Sequence, residues 1–244
     1  ARIRNEHVAK VLDVDTLPTG AAFMVLEYLE GTDLASLLAT QGALPLAQAA
    51  GYVMQALEAL SLAHALGIVH RDLKPANLFL ANTPAGPIIK VLDFGISKAA
   101  GPRLTAANVM LGSPSFMSPE QVHSSRDVDV RSDLWSVGVV LHQLTTGELP
   151  FPGESANEVF AKILESAPPP PSSLLRTLPE AFDALVARCL ERDRTRRVQT
   201  VLELAEALSP FAPPASLATL ERIRLAQGGL PAGGGALPFT GAFG

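Results

Sequence analysis

The feature that most limits what this chain can become is an eight-residue polar run between apolar elements, His70-Arg71-Asp72-Leu73-Lys74-Pro75-Ala76-Asn77. Upstream of it, Ala49, Ala50, Val53, Met54, Leu57, Leu60 and Ala63 recur at helical spacing from Pro45, and Gly67 closes the pattern. A short strand is expected at Ile68-Val69, and two more downstream at Leu78-Phe79-Leu80 and Ile88 to Leu92. The run is therefore a loop between rigid elements. Asp and Asn are ordinary turn formers when taken singly. Their spacing with Lys74 is what sets them apart.

By length the chain could form one large domain or two small ones. Its 244 residues allow a sizeable core, and 48% hydrophobic with 18% charged residues places the chain among globular proteins. A net charge of −5 argues against a broad nucleic-acid-binding face, which needs clustered cations. No uninterrupted apolar run reaches the roughly 18 residues of a membrane span, so none is expected in this chain. The one cysteine, Cys189, excludes an internal disulfide and fits a cytoplasmic location, or the cytoplasmic part of a membrane-anchored protein. It lies on an apolar helical stripe and reads as a small buried hydrophobe. Strands are expected at Val8 to Val14 and Phe23 to Leu29. Helices are expected from Asp133, as N-cap, to Thr146, and over Glu154 to Ser166, Glu180 to Leu190 and Thr200 to Leu208. Pro168 to Pro171 reads as a rigid surface linker, and residues 213–244, rich in Pro, Ala and Gly, as a flexible tail. His7, His64, His123 and His142 show no metal-like spacing and receive no role.

The loop resembles the catalytic loop of protein kinases, H-R-D-x-K-x-x-N, with every named position filled. The resemblance covers about residues 1–210 and implies an α+β, bilobal kinase-like fold. It would be present mostly as the α-helical C-lobe, with the hinge and residual N-lobe strands. It further implies transfer of the γ-phosphate of ATP, with Mg2+, to Ser or Thr hydroxyls of protein substrates. The transition state spreads negative charge over phosphate oxygens, so catalysis there is mainly positioning and neutralisation. By resemblance Asp72 orients or accepts the proton of the attacking hydroxyl, Lys74 offsets developing charge, and Asn77 offers a neutral oxygen to Mg2+. Asp93-Phe94-Gly95, just beyond a strand, resembles the motif whose carboxylate chelates the same metal, which makes Asp93 the second metal residue.

Phe23 to Leu29 resembles the strand and hinge that bind adenine. Backbone groups of Glu27 and Leu29 would meet the base edge, and Leu26 would guard the back pocket. Asp33 would contact the ribose, while Phe79 and Leu92 would supply apolar surface. Ser118-Pro119-Glu120 resembles the A-P-E that closes the activation segment, and Arg197 stands where the family places the arginine partner of Glu120. Asp133-Leu134-Trp135-Ser136-Val137-Gly138 resembles the helix whose aspartate accepts hydrogen bonds from the catalytic-loop backbone. Arg71 marks kinases controlled by phosphorylation, with Thr105 the first candidate site, which makes the chain itself a candidate substrate. Lys74 is the residue that serine/threonine members carry there, and the short helical region and the Pro-Glu-Gln at 119–121 look most like bacterial members.

A Gly-rich phosphate loop, a strand lysine and its helix glutamate are not visible. Lys10 lies too near Glu27 to be that lysine. Residues 1–244 therefore read as a kinase domain with an incomplete N-lobe (assigned to 1–212), expected to bind Mg-ATP weakly alone. Two other readings remain open: a pseudokinase-type scaffold, favoured by the missing strands, and a small-molecule phosphotransferase, disfavoured by the segment ending at Glu120.

Overall fold

The computed structural model describes residues 3, 5–94, 114–124 and 127–228. Strands β1 (Val11–Thr16) and β2 (Ala22–Leu26) form an antiparallel hairpin, turned at Gly20 with φ +83°. β1 starts later than its apolar run suggests, and β2 is shorter, because Glu27 to Glu30 leave the ladder as the connection to β3 (Gly31–Asp33). A second antiparallel sheet runs β3–β4–β5, with β4 at Leu78–Ala81 and β5 at Ile88–Val91. Gly31 is indispensable to it. At φ +146° a Cβ would stand 2.0 Å from the Leu80 carbonyl oxygen, so only glycine allows this pairing. The strand expected at Ile68-Val69 is absent, since the Ile68 N–H turns back to the Ala63 carbonyl at 2.9 Å.

The helices are α1 (Leu34–Gln41), α2 (Leu46–Ala65), α3 (Pro119–His123), α4 (Val130–Thr146), α5 (Ala156–Glu165), α6 (Pro171–Leu174), α7 (Glu180–Cys189), α8 (Val201–Leu208) and α9 (Ser216–Gly228). The core centres on α2 and α4, with Met54, Leu57, Leu60, Leu134, Leu141 and Leu144 fully buried. Each such side chain contributes about 1.5–3 kcal/mol over its exposed state. Trp135 stacks on Phe151 with centroids 5.7 Å apart. Helices α4 and α7 meet at backbone distance: a Cβ on Gly138 would lie 2.5 Å from that of Cys189.

Two expectations need correction. Helix α4 starts at Val130 with Asp129 as its cap, accepting the Arg131 N–H. Asp133 lies one turn inside, its side chain turned toward another element. Sequence favours Asp133 because caps and buried acids use the same residue type. The second concerns the supposed tail from residue 213. Residues Ser216–Gly228 are helix α9, packed on α2, with Leu220 and Ile223 buried. The prolines and glycines around this stretch obscure a short 3–4 periodicity of apolar residues within it. The proline run lies at the surface over Pro168 to Pro170, as a rigid linker should, while Pro171 is buried and opens α6.

Arg222 of α9 reaches Glu58 of α2, Nε to Oε2 at 2.8 Å, and Asn5 Nδ2 donates to the other Glu58 oxygen at 3.0 Å. Glu6, His7 and Glu58 come within ligand reach of one another. Both Glu58 oxygens are already engaged, and His7 Nδ1 is bonded to the Ile89 carbonyl at 2.8 Å, so the group works as a polar relay. It joins the segment before β1 to α2, β5 and α9. No helix among the described residues is long and apolar enough to cross a membrane.

A docked α9 makes a measurable demand. Ile223→Ala should destabilise the chain by about 2–4 kcal/mol in urea unfolding, as buried truncations do. A flexible tail would give no change.

Candidate active site

The catalytic-loop residues converge. Lys74 Nζ donates to Asp72 Oδ2 at 2.7 Å, and Asn77 Nδ2 donates to the Asp72 carbonyl at 2.7 Å and to Oδ2 at 3.3 Å. Asp72 Oδ1 and Asn77 Oδ1 carry no hydrogen bond among the described residues. One carboxylate oxygen is thus fixed by two donors while the other remains an open acceptor. Pro75–Asn77 forms a single 3-10 turn, whose leading proline needs no N–H partner, and this turn delivers Asn77 to the start of β4.

Below the loop lies Asp133, fully buried on α4. Its Oδ1 accepts the Arg71 N–H at 2.9 Å, and its Oδ2 accepts the His70 N–H at 2.9 Å and His64 Nε2 at 2.7 Å. Arg71 is held at φ +72°, a left-handed conformation unusual for a side chain with Cβ. Gln121 Nε2 donates to the Arg71 carbonyl at 2.7 Å. His70 bridges to the next segment: Nε2 donates to the Leu92 carbonyl at 2.8 Å, and Nδ1 faces the Asp72 N–H at 3.4 Å.

Asp93 is the second non-glycine residue with positive φ, +61°. The Leu92 N–H bonds the Asn77 carbonyl at 2.9 Å, which sets Asn77 and Asp93 at the ends of adjacent strands. Asp93 and Phe94 line a cavity of about 150 Å3 with Leu26, Met24, Ile68 and Val91. Glu27, Leu29, Asp33, Phe79 and Leu92 are outside that lining. The Glu27 side chain instead ties the hinge down. Its Oε1 accepts Lys90 Nζ at 2.7 Å and the Lys10 N–H at 2.9 Å, while its own N–H returns to the Lys10 carbonyl at 2.9 Å. Partial burial works to raise its pKa, but the Lys90 and Lys10 contacts prevail and hold it below the usual carboxylate value. Asp33 caps α1, accepting from Ala35 N, Ser36 N and Ser36 Oγ. Desolvation opposes its ionisation, yet these donors lower its pKa.

Glu120 and Arg197, 77 residues apart, form a buried two-pronged pair at 2.8 and 3.1 Å, and Ser132 Oγ donates to Glu120 at 2.6 Å. Arg197 also lies over the Trp135 ring at 5.1 Å. Gly95, Thr105 and Ser113 lie outside the described residues. Sequence reasoning missed His64, Gln121 and Lys90 as partners of the site. Only Gln121 left a signal, the S-x-x-Q capping-box spacing from Ser118.

Burial pushes the Glu120 carboxyl up, but the Arg197 and Ser132 hydrogen bonds outweigh it, so its folded pKa sits below the usual 4.5. A depressed folded pKa means stability that is present above about pH 4.5 and lost as pH falls through the lower folded value. Glu120→Ala, which leaves Arg197 buried and unpaired, should cost about 3–5 kcal/mol at neutral pH. Glu120→Gln should flatten the acid limb of a stability–pH profile measured by urea unfolding.

A protein kinase domain profile matches residues 1–208. The serine/threonine-protein kinase pkn3 of Myxococcus xanthus is 40% identical over 208 residues, covering 81% of this chain and 37% of the relative. Serine/threonine-protein kinase Pkn1 of the same organism is 36% identical, covering 92% of this chain and 34% of the relative. Serine/threonine-protein kinase PknB of Mycobacterium leprae is 35% identical, covering 84% and 33%. The chain spans about a third of the length of these curated relatives. With the profile running across nearly all the described fold, from the segment before β1 to the end of α8, the chain belongs to the protein kinase domain family.

Proposed function

We propose that the chain is the catalytic part of a bacterial serine/threonine protein kinase that transfers the γ-phosphate of ATP to protein hydroxyls. The observation that carries this reading is the Asp72–Lys74–Asn77 cluster, with one Asp72 oxygen pinned and the other without a hydrogen bond among the described residues. The donor set fits Mg2+: Asn77 Oδ1 and the Asp93 carboxylate are hard oxygens, and magnesium takes one or two such groups beside water and phosphate. Bound Mg-ATP would supply the phosphoryl group and the neutralising metal charge.

The chain's own residues do the rest. Asp72 Oδ1 orients the acceptor hydroxyl and receives its proton, while Lys74 holds Oδ2 so that the carboxylate cannot rotate. Lys74 also carries a cation to the place where charge develops. Asn77 braces the loop through Nδ2 and leaves its side-chain Oδ1 for metal. The backbone at Glu27 and Leu29 would meet the adenine edge, with Lys90 steadying this segment through the Glu27 side chain. The acceptors are Ser or Thr hydroxyls of proteins, Thr105 of the chain itself among them.

The test is phosphate transfer from γ-labelled ATP to casein by the whole protein. Asp72→Asn keeps the hydrogen-bonding shape but removes the base, and should lower turnover by roughly 10²–10⁴-fold. Nucleotide affinity should stay near that of the parent. Turnover unchanged in Asp72→Asn, or no transfer by the parent protein, sinks the proposal.

A further inference from the structure

Gln121 is used twice. Its Oε1 accepts the Ser118 N–H at 3.0 Å and lies 3.2 Å from Ser118 Oγ, closing the capping box of α3. This fixes the amide orientation, since only an oxygen can meet the backbone N–H. Nε2 is thereby presented as a donor across a sequence gap of 50 residues to the Arg71 carbonyl, at 2.7 Å.

That carbonyl belongs to the peptide group joining Arg71 to Asp72. The other end of the same group, the Asp72 N–H, has among the described residues only the long 3.4 Å contact with His70 Nδ1. Gln121 is therefore the main restraint on this peptide plane. A rotation of the plane would swing the Asp72 side chain away from Lys74 and Asn77. Arg71 sits at φ +72°, a conformation that persists only where neighbours over-determine it. Asp133 holds its N–H side and Gln121 its C=O side. Helix α3 is itself anchored, because the adjacent Glu120 is locked to Arg197 and Ser132.

We propose that Gln121 is a positioning residue for phosphoryl transfer: it sets the Arg71–Asp72 peptide plane, and it makes that setting depend on the conformation of the chain at Ser118. A shift of residues 114–118 that removes Ser118 from Oε1 frees the amide to rotate and releases the Asp72 peptide. This rests on the kinase reading given above.

The discriminating variant is Gln121→Glu. A carboxylate can still accept from Ser118, so the cap survives, but it offers oxygen instead of N–H to the Arg71 carbonyl. With casein as substrate of the whole protein, kcat should fall roughly 10- to 100-fold, the scale of a small misplacement of a catalytic group. KM for ATP should change less than about twofold. In the nucleotide-free protein, amide exchange of Asp72 should quicken, while the thermal midpoint stays near that of the parent. Gln121→Met, which loses both contacts, should show the same kcat loss with a lowered midpoint. If Gln121→Glu has parental kcat and parental Asp72 exchange, the residue is only a helix cap and the inference is wrong. A loss shared equally by kcat and the thermal midpoint in Gln121→Glu also overturns it, since that is general destabilisation. An Asp72→Asn control that remains active points instead to failure of the kinase reading itself.

Discussion

The site hangs on one buried carboxylate. Asp133 has no access to solvent, and an ionised acid so placed is tolerable only when donors surround it. Two of its three donors are consecutive backbone N–H groups of the loop, and the third is His64 from the last turn of α2. Because α2 and α4 are the two central helices of the core, the loop takes its position from the most deeply packed helices. Glu120 and Arg197 do the same for the chain entering α3. They are a second buried charge satisfied by side chains brought together only when the helical region has closed.

Both non-glycine residues with positive φ among those described, Arg71 and Asp93, flank this site. Such conformations cost energy and survive where several contacts agree on them. His70 is the element they share. Its ring donates to the Leu92 carbonyl beside Asp93, meets the N–H of Asp72 beside Arg71, and packs edge-on against Phe94 with centroids 4.9 Å apart. One imidazole, locked as its Nε2–H tautomer by these two partners, thus sets the spacing between the loop and the end of β5. The Asp72 and Asp93 carboxylates are kept in fixed relation through the backbone instead of through their own side chains.

The parts of this arrangement that were legible in sequence are those carried by short spacing. Asp72, Lys74 and Asn77 fall within six consecutive positions, and a single turn brings their side chains together. The long helix ending near Gly67, and the stop of α4 at Gly147, follow from periodicity and left-handed glycines. Of the contacts that depend on closure between distant segments, the family resemblance anticipated Glu120–Arg197 and Asp133 with the loop backbone, and the rest could not be read. His64 looks like any polar residue on a helix until α4 arrives against it, 69 positions later. Lys90 occupies a strand position where a cation reads as solvent-facing, yet it is buried against Glu27. Asp129 and Asp133 were exchanged as caps because both are acids near a helix start. Only tertiary contact separates the one that satisfies its own helix from the one that serves a neighbour. Helix α9 was hidden by composition, since prolines before it and glycines after it outweigh one short amphipathic turn pattern.

The close approach of α4 and α7 has a chemical consequence. Gly138 lets the neighbouring helix in so tightly that Cys189 is sealed at the contact, and burial pushes its thiol up to about 12. The nucleophilic thiolate is therefore scarcely populated at neutral pH, and oxidants or alkylating probes have no path to the sulfur. As this is the sole cysteine of the sequence, the folded chain offers a silent background for sulfur chemistry. A cysteine introduced on the surface would be modified alone, giving a unique attachment point for a spectroscopic reporter.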